Sequence, residues 1–228
     1  MKLLYLNNKC FLNLKETLSY KKELEKMSQK NIEIVLFPNI LYLSNFSDSK
    51  ISIGAQNFYS YNKGAYTGEI SLEALKEIGV THTLVGHPER INLGLDRYDE
   101  IKDKLFKSIN SNFKTVLCIG KDSKKKTIKK ELKYYLKGIE YKALKNLVIA
   151  FEPEDKIEDG YVEIDEIIKI RNYVKKYMSR KYEEDIPFIY GGSVNKENAK
   201  EVLDVTDGVL IGKSSKDIKE IKEIIKQI

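Results

Sequence analysis

Glu152 and His87 are the residues of this 228-residue chain whose types and places point most directly to acid–base chemistry. Glu152 directly follows the apolar run 147–151, and His87 ends another apolar run. A carboxylate partly removed from water can act as a general base, and an imidazole exchanges protons near neutral pH. Each residue also has a purely structural interpretation: Glu152 as a salt-bridged surface residue, and His87 as a core histidine. Neither residue alone decides between the two interpretations.

A lysine and two glycine-containing segments are suited to bind a phosphate. Lys9 lies just beyond the first apolar run, and Asn7, two positions earlier, points to the same side of an extended chain. From this place a lysine can hold a phosphate and stabilise negative charge on a substrate oxygen. Gly191-Gly192-Ser193 follows a later run, and Gly208 and Gly212 bracket the last one. Such loops bind phosphate through backbone N–H groups, although glycine pairs also mark ordinary turns.

Eight short apolar or alternating runs are separated by segments of helical periodicity. The runs predict strands at residues 3–6, 32–37, 51–55, 83–85, 115–119, 147–151, 187–190 and 209–211. Helices are predicted at residues 14–27, 71–78, 98–109, 124–136, 164–178, 196–202 and 215–225, with a weaker eighth helix at 40–46. Repeated strand and helix favour parallel strands in a closed barrel or a doubly wound sheet, and eight repeats favour the barrel. The carboxyl ends of its strands then carry Asn7, Lys9, His87, Glu152, Ser193 and Gly212.

The composition restricts the class of protein. With 42% hydrophobic and 32% charged residues, the chain is expected to be globular, with one domain over residues 1–228. The chain has 40 Lys and Arg residues against 34 Asp and Glu residues. Because lysines alternate with acidic residues along the helical stretches, these charges are predicted to lie on solvated helix faces. Neither nucleic acid nor a membrane is therefore expected as a partner. Cys10 and Cys118 have no paired spacing, so we expect no disulfide, no metal, no cofactor and a cytoplasmic location.

Eight motifs, in order over nearly the whole chain, resemble those of the triosephosphate isomerase family. They are Asn7-Asn8-Lys9 (N-W-K in the family), Gly54-Ala55-Gln56-Asn57 (G-A-Q-N), Gly64-Ala65-Tyr66-Thr67-Gly68-Glu69-Ile70-Ser71 (G-A-[FY]-T-G-E-[IV]-S), Gly86-His87-Pro88-Glu89-Arg90 (G-H-S-E-R), Leu117-Cys118-Ile119-Gly120 (L-C-I-G), Ala150-Phe151-Glu152-Pro153 (A-[YF]-E-P), Tyr190-Gly191-Gly192-Ser193-Val194 (Y-G-G-S-V) and residues 207–212 (D-G-x-L-[VI]-G). The resemblance implies a single-domain (β/α)8 barrel, or TIM barrel. It also implies interconversion of glyceraldehyde 3-phosphate and dihydroxyacetone phosphate through an enediolate.

The resemblance also implies a role for each catalytic position. Glu152 would move the proton, His87 would act as the electrophile beside the substrate oxygens, and Lys9 and Asn7 would hold and polarise the substrate. Glu89 would lie behind these residues or at an interface. A homodimer is implied as well, in which the loop around Thr67 inserts into the partner subunit.

Two positions expected near the phosphate carry charges where the family has glycine. Glu158 stands in the family's lid segment, and Lys213 stands after the last strand. Family geometry places them on opposite sides of the phosphate, near Ser193 and Gly212, so we expect Lys213 to offset the repulsion between Glu158 and the phosphate dianion. The departures leave two alternatives open: an isomerase of another short phosphorylated sugar, and a weakly active barrel retained for binding.

Overall fold

Eight parallel strands form a closed barrel in which each strand pairs with its neighbours in the chain and the last pairs with the first. The computed structural model describes residues 1–27, 30–153 and 163–228. The strands are β1 (Lys2–Asn7), β2 (Ile32–Phe37), β3 (Ser52–Ala55), β4 (His82–Val85), β5 (Lys114–Ile119), β6 (Leu147–Phe151), β7 (Phe188–Tyr190) and β8 (Gly208–Ile211). The predicted barrel is therefore confirmed, and the strands lie where the apolar runs place them.

Alternation along the strands divides the apolar side chains between two cores. Tyr5 and Val116 belong to the set that fills the barrel interior. Their chain neighbours Leu4 and Leu117 point outward and pack with the surrounding helices. Both faces of each strand are thus covered, which explains why the runs are almost continuously apolar.

Closure of the barrel depends on a close approach between β8 and β1. Gly208 pairs with Leu3 across this seam. A Cβ added to Gly208 would lie 2.1 Å from the Leu3 carbonyl oxygen, far inside van der Waals contact. Any side chain at this position would push the strands apart, so the seam requires glycine.

Helices cover the outside of the barrel. They are α1 (Leu14–Leu24), α2 (Leu72–Glu77), α3 (Pro88–Asn92), α4 (Tyr98–Asn110), α5 (Lys125–Tyr135), α6 (Ile164–Tyr182), α7 (Ala199–Val205) and α8 (Ile218–Ile225), with 3-10 helices at Ile40–Phe46, Tyr141–Asn146 and Lys213–Lys216. Short polar side chains cap the first turns of several helices by accepting backbone N–H groups. Asn13 accepts the Glu16 N–H, and Ser71 accepts the Ala74 N–H. In the part of the chain that the structure describes, no helix has the length and apolar character needed to cross a membrane.

Several predicted helices differ in their bounds from the observed ones, and two of the differences have clear local reasons. Residues 40–46 form a 3-10 helix, in which the buried Leu43 and Phe46 stand three residues apart and so share one face. The helix expected from residue 196 begins only at Ala199. The side chain of Asn195 accepts the next N–H groups and holds a turn there, which delays the helix start.

Candidate active site

Three predicted catalytic side chains, Asn7, His87 and Glu152, meet at the carboxyl end of the barrel. His87 Nε2 lies 3.4 Å from Asn7 Nδ2 and 3.4 Å from Glu152 Oε2. All three residues are buried. They follow or end β1, β4 and β6, and because parallel strands end at one edge, residues far apart in the chain come together there.

The Glu152 carboxylate has one oxygen left for a substrate. Oε2 faces His87, whereas Oε1 is buried without a hydrogen-bond partner among the described residues. The backbone of Glu152 is held in place, since its N–H donates to the Ile119 carbonyl oxygen at 2.9 Å. A fixed carboxylate with one unused oxygen is suited to take a proton from a bound molecule.

Two glycines make room for Glu152. A Cβ added to Gly191 would lie 2.4 Å from Glu152 Cγ, and one added to Gly120 would lie 3.1 Å from the Glu152 carbonyl carbon. Gly120 also has a φ of 120°, which side-chain-bearing residues rarely adopt. Gly191 was expected only in a phosphate loop, and the structure shows that it also determines where the glutamate side chain lies.

The Cys118 thiol lies beside Glu152 in the barrel interior. Burial, and after it the neighbouring Glu152 carboxylate, raise the pKa of this thiol well above its ordinary value. The thiol therefore stays protonated and faces the carboxylate as a weak donor. No local pattern connects Cys118 with the site, although the alternation along β5 places its side chain on the same inward face as Val116.

His87 and Asn7 present two N–H donors to the same space. His87 is the N-cap of α3, and its Nδ1 accepts the Glu89 N–H at 3.3 Å, which leaves the proton of the neutral ring on Nε2. The Oδ1 of Asn7 accepts the Lys9 N–H at 3.0 Å, so the amide NH2 group turns toward His87. Donors arranged in this way stabilise negative charge that develops on a substrate oxygen.

Lys9 reaches the site from a left-handed backbone conformation. Its φ is 49°, which costs a non-glycine residue about 1 kcal/mol. The Gln56 amide offsets this strain by donating to the carbonyls of Lys9 and Phe37 at 2.9 and 3.0 Å. The Lys9 ammonium pairs with the Glu89 carboxylate, and a Cβ on Gly212 would lie only 3.3 Å from Lys9 Nζ. Glu89 thus contacts Lys9 directly, and the absence of a side chain at Gly212 gives the lysine its space.

One cavity of about 810 Å³ contains the site. Each predicted site residue within the described parts of the chain lines it: Asn7, Lys9, His87, Glu89, Glu152, Ser193, Gly212 and Lys213. Ser193 and Lys213 are exposed at its rim. Glu158 lies outside the described residues, so its pairing with Lys213 stays a prediction.

A buried polar link joins the first strand to the segment after the last one. Ser215 Oγ donates to the Asn7 carbonyl oxygen at 2.7 Å, and Asn8 Nδ2 donates to the Ser215 carbonyl oxygen at 3.1 Å. Ser215 belongs to the 3-10 helix Lys213–Lys216, whose N-cap is Gly212. The link therefore fixes Asn7 relative to Gly212 and Lys213. Sequence reasoning missed this link because Asn8 and Ser215 are 207 positions apart.

Moving a proton between carbons beside a carbonyl group requires a base, donors for the oxygen that becomes negative, and a recess that limits water. The carboxyl mouth of this barrel supplies these groups, and the fold and site together define an isomerase of the (β/α)8 class. The sequence profile of the family described as "Triosephosphate isomerase" matches residues 2–228. The chain belongs to the triosephosphate isomerase family, whose members interconvert glyceraldehyde 3-phosphate and dihydroxyacetone phosphate, and it is an isomerase.

Relatives from three organisms agree with this assignment. The chain is 33% identical over 212 residues to the triosephosphate isomerase of Francisella tularensis subsp. novicida (strain U112), covering 86% of this chain and 84% of the relative. It is 35% identical over 210 residues to that of Lawsonia intracellularis (strain PHE/MN1-00), covering 85% and 83%. It is also 35% identical over 217 residues to that of Helicobacter acinonychis (strain Sheeba), covering 91% of each. The similarity therefore extends over most of each protein.

Proposed function

We propose that Glu152, His87, Asn7 and Lys9 carry out the triose phosphate interconversion. Glu152 removes a proton from the hydroxyl-bearing carbon next to the substrate carbonyl and returns it to the former carbonyl carbon. The hydroxyl proton passes to the former carbonyl oxygen by way of the His87 imidazole, which gives up its own proton and takes up the other, so no atom is gained or lost. The N–H groups of His87 and Asn7 and the ammonium of Lys9 stabilise the enediolate between these steps. The observation that supports this proposal most directly is that Glu152 Oε1 is buried without a hydrogen-bond partner among the described residues, in a carboxylate whose Oε2 faces His87.

The phosphate of the substrate is proposed to lie near Ser193, Gly212 and Lys213. Backbone N–H groups of such loops bind phosphate, and the Lys213 ammonium adds a positive charge at the rim. Gly212 is next to the Lys9 ammonium, so Lys9 reaches this part of the cavity. The acid–base residues and the proposed phosphate-binding residues line the same cavity.

A coupled assay on glyceraldehyde 3-phosphate tests the proposed substrate, with tetrose and pentose phosphates as comparators. We expect kcat/KM to be at least about 10-fold higher for the triose, because a site fitted to one chain length discriminates against extra carbons. A longer sugar phosphate that reacts as well as the triose would favour the alternative isomerase. No turnover on any of these compounds would favour a barrel retained for binding.

We infer that the chain forms a homodimer through the loop at residues 56–71. Tyr59, Tyr61 and Tyr66 form an aromatic cluster there, with ring centroids 4.9 to 5.5 Å apart. Tyr61 is 54% exposed and Tyr66 39% exposed, and the neighbouring Thr67 is exposed too. A partner subunit would remove this apolar surface from water.

Light scattering of the wild type and of Tyr66→Asp tests the dimer. We expect the wild type at twice the chain mass of 26.4 kDa and the variant shifted toward the monomer. Tyr141→Asp, at a tyrosine that is 52% exposed on another face, is the matched control and should stay dimeric. A fully active wild-type monomer at micromolar concentration would contradict the inference.

A cytoplasmic location is proposed as well. Cys10 is exposed as a free thiol, and a reducing compartment keeps such a thiol from oxidation. Cell fractionation with an antibody against the chain should recover it with cytoplasmic markers, and recovery outside the cell would contradict the proposal.

A further inference from the structure

A second concave surface lies on the outside of the barrel between α5 and α6, and we name it the α5–α6 groove. It has a volume of about 820 Å³. No acidic side chain of the described part of the chain lines it. Its walls carry six cationic side chains, all exposed: Lys125, Lys129, Lys169, Lys176, Arg180 and Lys181.

Within the described residues, the six cations of the α5–α6 groove stand together without an acidic partner. Several lysines on other faces pair with acids one turn away, as in Lys26–Glu23, Lys200–Asp204 and Lys226–Glu223. Within residues 1–27, 30–153 and 163–228, none of the six groove cations has such an ion pair. The formal net charge of the whole chain is +6, so this one face holds as much positive charge as the entire chain has in excess.

The spacing of these cations places like charges next to one another. Lys125 and Lys129 are four residues apart on α5, and Lys176 and Arg180 are four residues apart on α6. Like charges at this spacing face each other on a helix and destabilise it. An anionic partner would relieve the repulsion, and the concave shape would concentrate the field of both helices on it.

Aromatic rings alternate with these charges along the groove. Tyr173 and Tyr177, one turn apart on α6, line it and are half-buried. The Lys125 ammonium lies 5.8 Å from the Tyr173 ring centroid, and the Lys181 ammonium lies 5.5 Å from the Tyr177 centroid. Rings set among cations are the pattern that binds single strands, because bases stack on the rings while phosphates meet the charges. A flat membrane surface fits a concave surface lined by half-buried rings less well than a flexible single strand does.

We propose that the α5–α6 groove binds single-stranded nucleic acid without reading its sequence. Between residues 169 and 181, α6 extends about 18 Å, which accommodates a few nucleotides. The proposal is independent of the isomerase reaction, whose site lies at the carboxyl mouth of the barrel. It revises the expectation of evenly solvated charges, because folding brings lysines from two separate helices onto one face.

Fluorescence anisotropy with a labelled 12-nucleotide oligouridine tests the proposal on the full chain. The groove variant is Lys169→Gln/Lys176→Gln/Arg180→Gln. The matched control, Lys130→Gln/Lys133→Gln/Lys137→Gln, removes the same charge from exposed lysines that do not line the groove. We expect wild-type affinity to fall as salt rises, with a log–log slope of about −0.7 per phosphate contacted. The groove variant should lose at least about 30-fold in affinity and the control less than about 3-fold.

A second pair of variants separates base stacking from charge. Tyr173→Leu and Tyr177→Leu should each weaken oligouridine about 10-fold and leave binding of inorganic polyphosphate, which has no bases, unchanged. Lys125→Gln/Lys129→Gln repeats the charge test on α5 if the α6 variant fails to fold, and unchanged isomerase kcat shows that a variant is intact.

Three results would overturn the proposal. The first is an equal loss of affinity in the groove variant and its matched control, which would indicate non-specific attraction. The second is a pair of tyrosine variants that bind oligouridine like the wild type, which would indicate a general polyanion site. The third is groove-dependent binding to phosphatidylserine vesicles that displaces oligouridine, which would assign the groove to a membrane surface.

Discussion

The two histidines of the chain lie at opposite ends of β4, and each faces a glutamate. At the amino end, His82 Nε2 is 3.3 Å from Glu33 Oε1. At the carboxyl end, His87 Nε2 is 3.4 Å from Glu152 Oε2. Both imidazoles are buried. The residue types and distances are nearly the same, so any difference in function must come from the surroundings.

The surroundings of the two histidine–glutamate pairs differ in whether a cavity adjoins the pair. His82 packs edge-on against Tyr5, with centroids 5.6 Å apart, and its Nδ1 lies 2.8 Å from the Thr81 hydroxyl. The His82 imidazole holds the pKa of the Glu33 carboxyl below its ordinary value. Around His87, by contrast, there are an open cavity and a second N–H donor. Among the described residues, Glu152 Oε1 and His82 Nε2 are both buried without a hydrogen bond, so unused hydrogen-bonding capacity does not separate the two pairs. A histidine–glutamate pair is suited to catalysis where an open cavity adjoins it.

Removing the two glutamates should give the largest contrast. We expect Glu152→Gln to lower kcat by about 10³-fold, because an amide cannot accept the substrate proton. Glu33→Gln should change kcat less than about 2-fold, because it is far from the cavity. Coupled assays on both variants, with circular dichroism to verify folding, measure the difference. A Glu152→Gln enzyme that turns over like the wild type would eliminate Glu152 as the base.

The same exchange on the two histidines should give a smaller contrast. His87→Gln is expected to lower kcat about 10²-fold, the usual effect of losing one donor to a developing oxyanion. His82→Gln should leave kcat within about 3-fold and lower the melting temperature, since it disturbs packing against Tyr5. The comparison would fail if the two variants lost the same fraction of activity.

Adding one carbon beside the base should have a still smaller effect. Gly191→Ala introduces a Cβ only 2.4 Å from Glu152 Cγ, so the carboxylate must shift, and we expect kcat to fall about 10-fold. Gly138→Ala is the control, because a Cβ there meets no atom within 4 Å and its only cost is a positive φ of 88°. The control should lose stability and keep its kcat. Full activity in Gly191→Ala would show that the position of the base tolerates displacement.

The smallest expected effect concerns stability at the amino end. Since folding lowers the Glu33 pKa below its ordinary value of 4.5, the stabilisation is complete above that pH and is lost as the pH falls through the lowered value. Glu33→Gln should therefore reduce the free energy of unfolding by about 1 kcal/mol at pH 7, and the two proteins should converge in acid. Urea unfolding at pH 7 and near pH 3 measures this. A difference that widens in acid would contradict the interpretation.

The strands, and the polar residues that follow them, can be predicted from local patterns, whereas the proposed catalytic roles come from the family resemblance. Short apolar runs predict buried strands because burial on both faces requires apolar residues throughout. Polar residues directly after such runs, as at Glu152 and His87, are then predicted to meet at one end of the barrel. These inferences need only the periodicity of the printed sequence and the parallel pairing that alternating strand and helix segments predict.

The residues that support the site could not be predicted in this way. The Gln56 amide donates to the carbonyl oxygen of Lys9, which is 47 positions away in the chain, and the Ser215 hydroxyl donates to the carbonyl oxygen of Asn7, which is 208 positions away. The steric role of Gly191 depends on the path of another strand's side chain. Such contacts are set by strand register and barrel closure, which fix distances that no local pattern encodes.

Isomerisation in D₂O tests the central claim, that Glu152 carries the proton between the two carbons, most directly. Starting from dihydroxyacetone phosphate, NMR would follow both the appearance of glyceraldehyde 3-phosphate and the deuterium at its C2. We predict that wild type incorporates deuterium, because the proton on Glu152 exchanges with solvent, and that Glu152→Gln slows isomerisation and deuterium incorporation by the same large factor. Deuterium incorporation at the wild-type rate in Glu152→Gln would show that another group removes the proton, and would contradict the account.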